Sequence, residues 1–273
     1  MIRKGVPNPA ICAKHCDNEE CHSFSFTNVD KRCETYSRSI VEDKSASAAL
    51  ETWHFSKIES NEISEYSNCS KIPHEYPSGV YKITTAEGNN MEVYCDMDSA
   101  DGPWTVIQRR ISSDVDFYRT WTEYKNGFGN LNGNFWIGND ILNLLTPVPR
   151  ILRVELTAYN GTTANVQYSQ FQVANEDQNY RIFVTGFSGT LYDAMENDNG
   201  FDFTTFDRDN DIDDENCGVL RQSGWWHKKC TRANLNGGYP SDTRATKKVA
   251  YWVNFPDPNE YFYPLKGTLM MIR

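Results

Sequence analysis

The chain has 273 residues, enough for one large domain or two modest ones. Its net charge is -10, which argues against non-specific binding to nucleic acid or anionic lipid. No run of about 18 apolar residues occurs, so the sequence predicts no membrane span. Aromatic residues make up 13% of the chain and favour a β-rich or irregular fold with recognition surfaces.

The number and context of the cysteines indicate an extracellular protein. An even count of eight predicts disulfides formed in an oxidising compartment. Two glycosylation sequons, at Asn68 and Asn160, also favour secretion. The start of the sequence lacks the apolar region of a signal peptide, so we expect a mature form or a fragment.

Residues 1–57 hold four of the cysteines in a region too short for a large core, so disulfides should stabilise it. Asn8 and Pro9 predict a helix start, and the stretch from His22 to Thr27 alternates as a strand does. A zinc site remains an alternative, because His15 and His22 could add ligands. However, the cysteine spacing lacks paired C-x2-C motifs.

This region resembles a PAN/apple module. The residues that carry the resemblance are Cys12, Cys16, Cys21-His22-Ser23-Phe24-Ser25-Phe26 and Cys33, with Glu51 to Lys57 as a closing strand. The resemblance implies two disulfides, Cys12–Cys33 and Cys16–Cys21. Only eleven residues precede Cys12, so the module should be incomplete. Such modules bind proteins or sugars, and a role as spacer or assembly module is equally open.

A polar, aperiodic segment at residues 58–68 is predicted to be a linker. From Cys69 onward, periodicity and turn residues predict several strands and one short helix. The strands are Ser78 to Ile83, Met91 to Cys95, Trp104 to Arg110, Ile151 to Tyr159 and Tyr180 to Thr185, and the helix is Asn139 to Leu145. Beyond about residue 195 the chain loses regular periodicity, which is typical of a functional or ligand-pinned region.

Six acidic residues fall between Asp207 and Glu215, directly before Cys217. They either hold a cation or form a solvated charged loop. An EF-hand is excluded in the register that starts at Asp207, because Ile212 and Gly218 stand where Gly and Glu are required. The register that starts at Asp209 fails in the same way.

Residues 69–273 resemble a fibrinogen-related domain, the C-terminal module of fibrinogen chains, ficolins and angiopoietins. The residues that carry the resemblance are Pro77 to Tyr81, Val93 to Met97, Gly102 to Arg110, Phe128-Gly129, Asn134 to Gly138, Asn216-Cys217, Trp225-Trp226, Cys230, Asn234 to Gly237 and Leu269 to Arg273. The resemblance implies an α+β fold with mixed or antiparallel sheets and short helices. It also implies the disulfides Cys69–Cys95 and Cys217–Cys230.

The resemblance further implies a calcium site in the acidic segment. Carried over by position, its ligands are the side chains of Asp209 and Asp211 and the backbone carbonyls of Asp213 and Glu215. Calcium prefers such oxygen ligands. A charged loop without a cation is disfavoured, because six like charges would repel one another.

The family keeps a ligand pocket beside this site, often with a cis peptide bond at the position of Lys229–Cys230. The candidate pocket residues are Arg221, Trp226, His227, Lys229, Cys230, Thr231, Tyr239 and Trp252. Aromatic walls suit an acetyl methyl group or the C–H face of a sugar. Core packing is an equal alternative for Trp225 and Trp226.

The pocket departs from known members at four positions. Thr231 and His227 replace His and Tyr of the acetyl-binding members, and Leu220-Arg221 replaces the Gln-Asp of the fibrin knob pocket. A basic residue there should repel an amine and attract an anion. We therefore expect N-acetylated or anionic glycans as ligands.

These features predict a secreted, calcium-dependent lectin of innate recognition that binds microbial or host glycans. The alternative is a protein-binding module of a receptor ligand or of a matrix or adhesion protein. No catalytic motif occurs, so no enzymatic activity is expected. A homo-oligomer would raise avidity, although the sequence has no collagenous or heptad stalk.

Overall fold

A computed structural model describes the strands at residues 2–3, 23–27, 32–36 and 52–56, and the chain at residues 66–85, 88–239 and 246–273. The chain divides into two compact units, Met1–Ile63 and Ser64–Arg273. Their junction falls within the segment 58–68 that was predicted as a linker.

The first unit contains one antiparallel sheet of four strands. They are β1 (Ile2–Arg3), β2 (Ser23–Thr27), β3 (Arg32–Tyr36) and β4 (Thr52–Ser56), in the order β1-β3-β2-β4. The strand predicted from His22 and the closing strand are confirmed as β2 and β4. The predicted helix, the zinc alternative and the cysteines at positions 12, 16 and 21 lie outside the described residues. Only the backbone of Cys33 is described, in β3, so both disulfides remain predictions.

The second unit is mostly sheet with a few short helices, as predicted. Its strands are β5 (Gly79–Thr84), β6 (Asn90–Asp96), β7 (Trp104–Arg110), β8 (Phe128–Gly129), β9 (Phe135–Trp136), β10 (Arg150–Ala158), β11 (Thr163–Val173), β12 (Ile182–Gly189), β13 (Ala233–Asn234), β14 (Tyr251–Trp252) and β15 (Leu265–Ile272). Its helices are α1 (Trp121–Asn126), α2 (Asn139–Leu145) and α3 (Cys217–Arg221), and two 3-10 turns span Cys69–Lys71 and Glu176–Gln178.

Nine of these strands form one antiparallel sheet in the order β12-β11-β10-β15-β7-β6-β5, with β9 beside β7 and β8 beside β9. The last strand, β15, lies between β10 and β7, so the end of the chain completes the middle of the sheet. Six of the seven residues of β7 are buried, as expected of a strand covered on both faces.

Helix α1 begins where its sequence provides a cap. Thr120 and Glu123 form a reciprocal capping box at the start of α1. This helix buries Trp121 and Tyr124 against an aromatic core that includes Trp136, Phe203 and Trp226. The edge-on ring contacts in this core stabilise it beyond simple burial of apolar area.

The irregular region after β12 is attached to that core. The ring of Trp226 lies 5.4 Å from that of Phe203, and its indole N–H donates to the carbonyl of Tyr180 at 2.8 Å. Gly224 permits the approach, because a Cβ at this position would lie 2.4 Å from the ring of Tyr124. These contacts of Trp226 attach the segment that contains His227 to the core.

Candidate functional site

The acidic loop, residues 207–215, leads into α3 and is organised around Asp211. One oxygen of its carboxylate accepts the backbone N–H of Asp213 and the other accepts that of Cys217, both at 2.9 Å. The carboxylate of Asp209 accepts the backbone N–H of Asp211 at 3.3 Å. These bonds place the two side chains predicted as calcium ligands side by side.

The charge on Asp211 is unfavourable in this setting without a cation. Burial, and then the neighbouring carboxylate of Asp209, raise the pKa of Asp211 to about 6. The backbone N–H groups of Cys217 and Asp213 oppose this increase. Two adjacent carboxylates, one of them half-buried, form an oxygen donor set that fits a hard cation such as calcium.

The Cys217–Cys230 disulfide joins the acidic loop to the segment that follows Trp226. The two Cα atoms lie 5.4 Å apart, and Ile212 N–H donates to the carbonyl of Lys228 at 3.0 Å. The carboxylate of Asp213 lies within 4.8 Å of both sulfurs. Because the sulfurs are bonded to each other, they provide no thiolate ligand for a metal there.

A polar cluster beside this disulfide, here called the Arg221–His227 cluster, comprises Arg221, Ser223, His227 and Asn234. The hydroxyl of Ser223 donates to the side-chain oxygen of Asn234 at 2.7 Å and lies 3.3 Å from Nε2 of His227. A hydroxyl has a single proton to donate, so Nε2 of His227 must carry the hydrogen of the ring. Nδ1 is then a lone-pair acceptor, and no donor lies within reach of it among the described residues.

The same cluster contains an unpaired donor. Nε of Arg221 is buried, and among the described residues it has no hydrogen-bond acceptor. Burial, and then the positive charge of Arg221, lower the pKa of His227 to about 3, so the imidazole is neutral near pH 7. Unpaired buried polar atoms are rare in folded proteins and often mark a place for water or ligand. Here one donor and one acceptor lie in the same cluster.

Aromatic side chains lie next to the guanidinium of Arg221. It is 6.0 Å from the ring of Phe262, which contacts the rings of Tyr251 and Tyr261 edge-on at 4.9 and 4.8 Å. Tyr261 is 48% exposed, so this aromatic cluster (Tyr251, Tyr261 and Phe262) reaches the surface. It can contact the apolar face of a bound group.

Comparison with known proteins decides the family. A sequence model described as the fibrinogen beta and gamma chains, C-terminal globular domain, matches residues 65–273. The chain belongs to this family. A model of the PAN domain matches residues 2–58.

Curated relatives of this fibrinogen-related chain have several names. It is 41% identical to fibroleukin of Homo sapiens over 210 residues, 44% identical to angiopoietin-related protein 7 of Mus musculus over 202 and 38% identical to ficolin-3 of Homo sapiens over 198. Each match covers 72% of this chain and, in the same order, 48%, 59% and 66% of the relative. The chain therefore spans about half the length of fibroleukin and somewhat more of the others.

Solved structures share the fold of the fibrinogen-related unit. The fibrinogen-like globe domain of human ANGPTL2 matches with a TM-score of 0.72 and 31% identity, over 76% of this chain and 98% of that one. A lamprey fibrin D-dimer complexed with the peptide Gly-His-Arg-Pro-amide matches with a TM-score of 0.68 and 28% identity, over 78% and 75% of the two chains.

Some predicted pocket residues of the fibrinogen-related unit lie in its interior. Trp226 and Trp252 are fully buried, and the indole of Trp252 donates to the carbonyl of Tyr192 at 2.9 Å. Their rings pack in the core. For Trp226, core packing was the alternative to a role as pocket wall. Thr231 is also turned inward, with its hydroxyl 2.7 Å from the carboxylate of Asp198.

Three other residues predicted to line the pocket lie in three different settings. The hydroxyl of Tyr239 donates to the carbonyl of Lys266 at 3.0 Å, which places this side chain at the start of β15. Lys229 is exposed, whereas Cys230 is buried in the disulfide. In the described part of the chain the cis peptide bonds precede Pro103 and Pro256, so the expected cis bond between Lys229 and Cys230 is absent.

The Arg221–His227 cluster contains residues that were not predicted as part of the site. Ser223 and Asn234 orient the ring of His227, and Phe262 lies against Arg221. The buried carboxylate of Asp198 accepts the indole N–H of Trp225 at 2.9 Å, and burial raises its pKa. The aromatic run at Tyr261 to Tyr263 within an irregular segment was the one sequence signal for this region.

The predicted disulfides and sequons of the fibrinogen-related unit can also be placed. Cys69–Cys95 and Cys217–Cys230 are both present. Asn160 is exposed in the turn between β10 and β11, whereas Asn68 is half-buried and accepts the backbone N–H of Ser70. No helix in the described ranges has the length and apolar character needed to span a membrane.

Proposed function

We propose that this protein is a secreted, calcium-dependent recognition protein of innate immunity that binds N-acetylated or anionic glycans at the Arg221–His227 cluster. The observation that carries this proposal is the pair of buried, unpaired atoms, Nε of Arg221 and Nδ1 of His227. A site built to hydrogen-bond a ligand leaves such atoms unpaired when the ligand is absent.

An acetamido group complements the two atoms. Its carbonyl oxygen can accept the N–H of Arg221, and its N–H can donate to the ring nitrogen of His227. The carboxylate of an acidic sugar would instead pair with the guanidinium. Nε of Arg221 and Nδ1 of His227 are both buried, so a side chain that covers them must rotate when a ligand binds. The aromatic cluster would then receive the methyl group or the C–H face of the sugar.

Calcium would be held by the side chains of Asp209 and Asp211 and by the carbonyls of Asp213 and Glu215. When bound, it would neutralise the adjacent carboxylates and stiffen the acidic loop. The loop reaches the cluster through Cys217, which both starts α3 and forms the disulfide to Cys230. Removal of calcium should therefore weaken glycan binding through the position of α3, whose last residue is Arg221.

A second candidate function is recognition of a protein receptor or matrix partner. It is favoured by the identity to angiopoietin-related protein 7, which at 44% exceeds the 38% to ficolin-3. The two functions differ in their competitors. Free N-acetyl sugars should compete with a glycan partner and should not displace a protein partner from a surface outside the cluster.

A glycan array with purified protein of known oligomeric state tests the proposal. We expect retention on N-acetylated or sialylated glycans in calcium, loss in EDTA, and a loss of more than about tenfold in Arg221→Gln. Arg181→Gln is the matched control, because Arg181 forms an ion pair with Asp202 and lies outside the cluster. Binding to no glycan, together with calcium-independent binding to a cell-surface protein, would instead support the second function.

A further inference from the structure

A second cavity lies in the fibrinogen-related unit, at the end of β11. It has a volume of about 340 Å³ and is formed by the C-terminal end of α2, the last residues of β11, Gln178 at the end of the second 3-10 turn and the start of β12. This volume falls at the lower end of the range of about 300–1,000 Å³ that is typical of small-ligand pockets.

Side-chain amides that are already held in place line the cavity. Asn143 donates to the carbonyl of Val173 at 2.8 Å, and Gln172 donates to the carbonyl of Pro147 at 3.1 Å. Each amide has a second N–H and an oxygen that these two bonds do not use. The cavity therefore offers pre-oriented donors and acceptors, which reduces the entropy that a ligand would lose on binding.

The lining of the cavity carries no charge. Its side chains are Asn143, Leu144, Thr146, Pro147, Gln172, Val173, Ala174, Asn175, Gln178 and Phe183. An ionic ligand would find no counter-charge here, whereas a neutral polar ligand would find hydrogen-bonding groups.

An exposed aromatic ring forms one side of the cavity. Phe183 is 50% exposed, while its neighbours in β12, Ile182 and Val184, are buried. Its side chain therefore points away from the core. It is directly opposite Gln172 in the pairing of β11 with β12, so the ring and the amide stand side by side on one face of the sheet.

We propose that this cavity is a carbohydrate site, which takes one neutral hexose residue. A hexose has an apolar C–H face, which would lie on the ring of Phe183, and hydroxyl groups that both donate and accept hydrogen bonds. The amides of Asn143 and Gln172 match these hydroxyls without any charge. Phe183 would contact the C–H face of the sugar, and Gln172 would bond its hydroxyl groups. The carbonyls of Val173 and Pro147 hold the amides of Asn143 and Gln172 in place.

The cavity is separate from the Arg221–His227 cluster. It shares no lining residue with that cluster or with the acidic loop. Hexose binding should therefore persist in EDTA, and the inference does not depend on the function proposed above. A neutral peptide is the competing ligand, because peptide groups also pair with amides.

Titration of the 15N-labelled full chain with methyl α-mannoside, methyl β-glucoside and methyl β-galactoside in EDTA tests this site. We expect at least one hexoside to shift the side-chain amide signals of Asn143 and Gln172. Phe183→Ala and Gln172→Ala should weaken this binding by at least about fivefold, and Phe183→Tyr should retain it. Thr185→Ala is the matched control, because Thr185 is an exposed residue of β12 outside the cavity.

The same spectra can also contradict the hexose site. Equal hexoside binding by wild type and Phe183→Ala would overturn the proposal, as would the absence of any shift from all three sugars. Shifts produced by N-acetyl-trialanine amide but by no hexoside would assign the cavity to peptides instead. Because Phe183 is half-exposed, Phe183→Ala should fold, and its backbone signals report whether it does.

Discussion

The carboxylate of Asp211 accepts the backbone N–H of Cys217 at 2.9 Å, so the acidic loop is bonded directly to the cysteine that starts α3. The same cysteine forms the disulfide to Cys230, and α3 ends at Arg221. A change at Asp211 therefore has a short covalent and hydrogen-bonded route to the Arg221–His227 cluster.

Neutralising the predicted calcium ligands should abolish stabilisation by calcium. In wild type we expect calcium to raise the midpoint of thermal unfolding, because an ion that binds only the folded state stabilises it. Asp209→Asn and Asp211→Asn should each lose most of this increase. Asp214→Asn should keep it, since this exposed residue of the same loop is not a predicted ligand. An equal increase in all four proteins would contradict the proposed ligand set.

Stabilisation by calcium should depend on pH through Asp211. Its pKa is raised to about 6, so its contribution to the stability of the calcium-free fold is greatest at low pH and is lost as the pH rises through about 6. Calcium binds the deprotonated carboxylate. The difference between the unfolding midpoints in calcium and in EDTA should therefore grow between pH 5 and pH 7. Thermal unfolding at both pH values measures it, and a difference that shrinks would argue against Asp211 as a ligand.

Acid should destabilise the fold through His227. Its pKa is lowered to about 3, whereas a histidine in the unfolded chain titrates near 6.5. The unfolded state therefore takes up a proton first, and the free energy of unfolding falls as the pH falls from about 6.5 towards 3. Urea unfolding at pH 7 and at pH 4.5 should show a smaller fall for His227→Gln than for wild type. Equal falls would mean that the imidazole is not buried in its neutral form.

The two interpretations of Trp226 can be separated by mutation. Trp226→Phe removes the hydrogen bond to the carbonyl of Tyr180 and part of a buried ring, so the free energy of unfolding should fall by about 2–4 kcal/mol. A core role predicts that glycan binding per folded molecule falls much less than in Arg221→Gln, whereas a pocket wall predicts a comparable loss. Urea unfolding and the glycan array supply the two measurements. Tyr192→Phe removes only the exposed hydrogen bond from Arg232 and should change stability by less than about 1 kcal/mol.

Much of the fold follows from local patterns. The predicted strand from Trp104 to Arg110 and the predicted helix from Asn139 to Leu145 have the bounds found in the structure. Strand β11 was not predicted, although its residues alternate from Thr163 to Ser169 and, after a change of phase, from Gln170 to Val173. The register of β10 with β11 shifts between Arg150 and Leu152, which interrupts the alternation that a sequence pattern relies on.

The candidate site was predictable only where its residues are close in the sequence. The spacing of Asp209 and Asp211 is visible directly, since alternate residues of an open loop can aim two carboxylates at one point. The unpaired atoms of Arg221 and His227 are not visible, because their environment depends on Asn234 and Phe262, which the fold brings from elsewhere. The burial of Trp226 and Trp252, both predicted as pocket walls, likewise depends on residues distant in the sequence.

Calorimetric titration of calcium into the EDTA-treated, desalted full chain tests the central claim most directly. We predict saturable binding at the acidic loop, with an affinity that falls by more than about tenfold in the Asp209→Asn, Asp211→Asn double variant and is unchanged in Asp214→Asn. The absence of saturable binding in wild type, or an equal affinity in the double variant, would contradict the account.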